Sequence, residues 1–180
     1  MAIESVVVTG LKSVHMAPLG KVRAAVWEQI GYTLEGSVTV NFETPTATGV
    51  MVEELDTSIL TKFQAGAKSI EFDFPNLSSD MLTKLMGATV DTTGVDFDEI
   101  DIPDGMNILN KMLKIDFLTG LDSLCLTNAQ LASTFGGGIT KAGSDTFNIH
   151  MIATINAGLG GTDYEAKGIK LLKAKGTPTT

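Results

Sequence analysis

The chain has 180 residues, 43% hydrophobic, 19% charged and 6% aromatic, with a formal net charge of −8 and a pI near 4.6. That length and hydrophobic fraction fit one folded domain with a real core and exclude wholesale disorder. The acidic balance, with Arg23 as the lone arginine, argues against a nucleic-acid grip built on a basic stripe, and the sparse aromatics argue against a base-stacking or sugar-binding platform.

From the N-terminus, "IESVVVTG" opens a valine-rich first strand or pair of short strands over residues 3–16. No basic n-region or signal-like apolar stretch precedes it, so synthesis in the cytoplasm without a cleaved signal is expected. The next segment, "KVRAAVWEQIGYTLEG", leaves two readings open. Val22, Ala25, Val26 and Ile30 fit one helical face, whereas Gly31 and Gly36 favour irregular extended structure. In "GSVTVNFE" Val38, Val40 and Phe42 alternate with polar residues, the pattern of a half-buried strand. "TPTATG" then links it to the extended "VMVEELDTSIL", and together they read as a long hairpin over about 36–58.

"AKSIEFDF" alternates again, with Ile70, Phe72 and Phe74 on one face and Glu71 and Asp73 on the other. Pro75 ends this strand because it has no N–H to donate to the ladder. Ser78 is placed as an N-cap, Leu77 and Leu82 as a hydrophobic staple, and Gly87 as the stop of a short helix over about 78–87. Met81, Leu82 and Leu85 form its apolar stripe, which predicts a helix that covers one face or end of a sheet.

Residues 91–104, "DTTGVDFDEIDIPD", carry six carboxylates and no base, and read as a surface loop or a short edge strand. "MNILNKMLKIDFLTG" and "DSLCLTNAQLAS" are further extended runs, "TFGGGITKAGSD" a flexible loop, and "TFNIHMIATINAG" another alternating strand. The C-terminal segment 166–180 is basic, with Lys167, Lys170, Lys173 and Lys175. An acidic middle and a basic end invite head-to-tail contact between copies. Ordinary solvated charges produce the same pattern.

Reactive groups are scarce. Cys125 lies in the apolar run "SLCLT" and reads as a buried, inert thiol. His15 and His150 lie far apart with no ligand spacing, so neither a zinc site nor any other metal or cofactor is expected. "DFDEIDIPDG" lacks the alternating oxygens, central glycine and closing glutamate of a calcium loop. The glycine-rich loop misses the phosphate-loop spacing. Glu53 and Glu54, as neighbours on a strand, point to opposite faces and cannot act as an acid–base pair. No serine-nucleophile motif is present, and the chain reads as a non-enzyme. No apolar run reaches the roughly 20 residues of a membrane span, so no membrane insertion is expected.

The order of motifs "GSVTVNFETPTATGVMVEELDT", then "KSIEFDFPNLSSDMLTKLMG", then "IDFLTGLDSLCLTNAQLASTFGG" and "FNIHMIATINAG" resembles the tail tube (major tail) proteins of long-tailed bacteriophages and prophages. The resemblance spans most of residues 36–157 as an order of elements, including "S-x-D/E-x-L-x-x-L-x-G" at Ser78–Gly87. It is weakest at 20–35 and 91–104.

This resemblance implies a single mainly β domain over 1–180, a β-sandwich or partly closed barrel with one short α-helix and a long hairpin. It implies a structural virion protein that forms homohexameric rings, stacked into a tube that conducts genome DNA without binding it specifically. Its partners would be itself and the tail terminator, baseplate and tape-measure proteins, and its place the virion tail. Glu43, Glu53 and Glu54, in or beside the hairpin, become candidate lumen or ring-interface charges. Two other classes stand beside this one: another virion or contractile-injection structural subunit, and a monomeric β-sandwich binding module. Trp27, Tyr32 and Tyr164 are too few and scattered to favour the last.

Overall fold

A computed structural model of the chain describes residues 9–52, 55–119, 122–138, 147–156, 163–164 and 168–173. In chain order its elements are β1 (Thr9–Pro18), β2 (Glu28–Gly31), β3 (Thr39–Phe42), β4 (Thr46–Val52), β5 (Leu55–Gln64), β6 (Lys68–Phe74), α1 (Ser79–Met86), β7 (Thr89–Asp91), β8 (Glu99–Asp101), β9 (Ile108–Thr119), β10 (Ser123–Gly136), β11 (Asn148–Ile155) and β12 (Ile169–Leu172). The fold is mainly β, with one helix and antiparallel pairing throughout. Among the described residues no helix is long and apolar enough to cross a membrane.

An eight-stranded sheet forms the body, in the order β2-β1-β9-β10-β11-β6-β3, with β12 added to β10. Its core follows from period-2 alternation. Ile70, Phe72 and Phe74 of β6 are fully buried and pair in register with Ala153, Met151 and Ile149 of β11, which are fully buried too. Cross-strand partners share a face, so the two strands present one continuous apolar strip. Pro75 follows the last β6 residue, as the missing N–H predicts.

Helix α1 closes over this strip. Ser78 has extended backbone and its Oγ accepts from the Met81 N–H at 3.4 Å, which supplies one of the first-turn donors with a partner. At the other end Gly87 turns left-handed at φ 71°, and the Gly87 and Ala88 N–H groups donate to Thr83 and Leu82 carbonyls. Met81, Leu82, Leu85 and Met86 are buried, and Leu77 packs against the same core. On the outer side Lys84 bridges Asp80 at 2.8 Å and also contacts Glu28, which ties the helix to β2.

The segment at 20–35 forms no helix. Its one regular element is the short β2, and Val22 and Val26 are exposed while Ile30 alone is buried.

The hairpin also differs from the expectation at 36–58. β3 does not pair with the segment after "TPTATG" but joins the body, with Val40 opposite Ile70 and Phe42 opposite Lys68. The hairpin is β4–β5, in one register from Thr46–Gln64 to Val50–Leu60, with a shift before the Val52–Leu55 pair. Pro45 separates the two strands, so the β3 ladder cannot run on into β4. Nor is β3 half-buried as its alternation suggests: Val38 packs against the core, but Val40 and Phe42 remain 56% and 44% exposed. The acidic run at 91–104 is exposed loop and short edge strand, as its sequence suggests. It contributes to a separate two-stranded ribbon, β7–β8, exposed along both strands.

Candidate functional site: the hairpin and its base

β4 and β5 form a two-stranded sheet of their own. At its base, residues 46–49 and 61–65 are exposed, and Phe63 presents 76% of its surface to solvent. At about 3.3 Å per residue, the ten residues of β5 carry the hairpin on the order of 30 Å. Two strands with no covering layer are marginal in water on their own. The segment is nevertheless rich in strand-favouring Thr, Val, Ile and Phe, in "TATGVMV" and "LDTSILTKFQ".

Glu43 anchors the hairpin. Its N–H donates to the Ala67 carbonyl at 3.0 Å, and its carboxylate Oε2 accepts from the Ala67 N–H at 2.9 Å. Gly66 lies so close that an added Cβ would stand 2.4 Å from the Glu43 carbonyl oxygen, so only glycine permits the approach. Of the three carboxylates singled out from sequence, Glu43 thus sits in a backbone clamp, exposed but engaged. Glu53 and Glu54 lie outside the described residues. A cavity of about 790 Å3 opens beside the clamp, lined by Glu43, Gln64, Lys68, Thr154 and Ile169 among others. Asn156 and Gly168, also at its wall, adjoin segments outside the described residues.

One constellation escaped sequence reasoning. His15 and Lys114 are register partners on β1 and β9, and Asp116 lies two residues further on. His15 Nε2 stands 2.9 Å from Ser13 Oγ and 3.1 Å from Asp116 Oδ2, and Ser13 Oγ donates to the same oxygen at 3.2 Å. The residue types match a hydrolytic triad, but the geometry does not. A triad puts the serine on one ring nitrogen and the carboxylate on the other. Here both share Nε2, and His15 Nδ1 is buried with no partner. The result is a closed triangle with no relay. Burial, and then Lys114, hold His15 below its ordinary pKa. Burial acts to raise the Asp116 carboxyl, but the Ser123 hydroxyl and Lys114 outweigh it and keep it below the usual carboxylate range.

Beside this triangle Cys125 is fully buried on the face opposite the core, in register with Lys114. Burial pushes its thiol up, and the Tyr164 hydroxyl donates to Sγ at 3.6 Å. Tyr164 is itself pushed up to about 12, by burial and then by this contact. His150 and Asp73, register partners on β11 and β6, pair at 2.7 Å. Among the described residues no three His, Cys, Asp or Glu side chains gather as metal ligands would.

Compared with protein-family models, the chain matches none. Compared with curated proteins, it again finds no match.

Proposed function

We propose that this chain is a structural subunit that assembles with copies of itself into stacked rings forming a phage tail tube, a conduit for genome DNA in the virion tail. The observation that carries the reading is the β4–β5 hairpin, an element exposed at its base and set off from the body sheet. A two-stranded hairpin rich in strand-favouring residues gains its stability by covering another surface, and its open edges invite a neighbour's strand. A closed ring of copies provides both at once.

The motif order described above supports the same reading, and so does the charge. A net −8 per subunit, repeated around rings, disfavours phosphate binding and lets DNA slide. In this assembly Glu53 and Glu54 belong to the lumen or ring interface. Glu43 acts one step removed, by fixing the hairpin at its base. The subunit carries out no chemistry of its own, and its other partners are the tail terminator, baseplate and tape-measure proteins.

Negative-stain electron microscopy of the concentrated protein tests the proposal. Rings or tubes with a central hole are the expected result. Disordered aggregates or closed dimers without a hole would overturn it.

A further inference from the structure

We propose that the tip of the β7–β8 ribbon of one copy seats in an apolar groove between β1 and β3 of a second copy, as a head-to-tail contact. The inference rests on the self-assembly proposed above and names one of its contacts. The groove has a volume of about 250 Å3 and is lined by Leu11, Val38, Val40, Ile70, Phe117 and Leu124, with no charged residue in its wall. Among the described residues no strand closes either side of it. There β3 pairs only with β6, and β2 pairs with β1 only at Val14–Met16, which leaves Thr9–Ser13 without a described partner strand on that side.

The ribbon supplies an exposed apolar tip. Val95 is 100% exposed and Phe97 81% exposed, and Asp96 and Asp98 flank them. A cavity of about 150 Å3 already holds benzene, so the groove has room for the Phe97 ring and part of Val95. Charge matches as well. Lys12 follows Leu11, and Lys68 is the register partner of Phe42 two positions before Ile70. Both lysines are exposed, and among the described residues neither they nor Asp96 and Asp98 belong to an ion pair. Within one chain the tip and the groove are exposed at the same time, so the tip does not fill its own groove. Because tip and groove are different surfaces, the contact is heterologous and propagates into a ring or a filament.

Charge exchange tests this. One variant carries Asp96→Lys with Asp98→Lys, the other Lys12→Glu with Lys68→Glu; all four sites are exposed, and circular dichroism verifies folding. Sedimentation velocity is expected to show each variant associating on the order of tenfold more weakly than the wild type, because like charges then face one another. An equal mixture is expected to recover wild-type association, since each groove again meets a tip of opposite sign. A third variant, Phe97→Ser, is expected to weaken association without rescue by either partner. Tubes that form equally well from every variant would overturn this contact and leave the tail tube reading standing. Association that follows the charge exchange but yields no hollow particles would uphold the contact and overturn the tube. A wild type that stays monomeric at every concentration, or a mixture as weak as its components, would overturn the contact.

Discussion

If the hairpin is the assembling element proposed above, removing it should separate folding from assembly. Consider a chain in which residues 46–64 are deleted and Pro45 is joined to Ala65. The described side chains lost, at 46–49 and 61–64, are exposed, so their removal forfeits little burial. The connection between Phe42 and Lys68, paired in register, shortens from residues 43–67 to residues 43–45 and 65–67. That is about two halvings of loop length, which lowers the closure cost by about 1 kcal/mol. The Glu43–Ala67 clamp and the close approach of Gly66 remain to shape the new turn. The deleted chain is therefore expected to match the wild type in urea denaturation, or to exceed it by about 1 kcal/mol, and to form no rings or tubes by electron microscopy. If it unfolds, the hairpin is part of the core and the separation drawn here is wrong. If it folds and still builds tubes, the hairpin is not the assembling element.

Four further outcomes are expected. Leu85→Ala empties a fully buried site beneath the helix and should cost about 2–5 kcal/mol in chemical denaturation; a loss below about 1 kcal/mol would mean that α1 does not seal the core. Ser78→Ala removes the helix cap and should cost about 1 kcal/mol, measured in the same way. For pH, the His15 pKa lies below its ordinary 6.5 and that of Asp116 below 3.8. Each therefore takes up its proton more readily when unfolded, so stability should fall as pH drops below about 6.5 and again below about 3.8. His15→Gln should flatten the first decline in a thermal-melt series across pH, and an unchanged slope would exclude His15 as its source. Finally, burial together with a raised thiol pKa should keep Cys125 silent to a thiol reagent until the protein unfolds; fast labelling of the native protein would contradict its placement.

Where a local pattern was complete, the sequence alone was enough to read it. The unit at 68–87 holds all its instructions within twenty residues: alternating Ile70, Phe72 and Phe74, the proline stop, the Ser78 cap, the apolar stripe and Gly87. The structure reproduces each of them. The strands around Ile149 and Met151 were legible for the same reason, because burial on one face of a pleated strand leaves period 2 in the chain. Strand partners left no such trace. β3 and β4 adjoin in sequence, yet β3 pairs with β6, and nothing local distinguishes a hairpin partner from a distant one. Likewise His15, Ser13 and Asp116 meet only because β1 pairs with β9, and the groove at Val40 lies between two strand edges that have no partner among the described residues. Capping, turn and alternation energies act over a few residues and are written into them. Register and closure are decided by which apolar faces find one another across the whole fold, and that choice belongs to the tertiary structure.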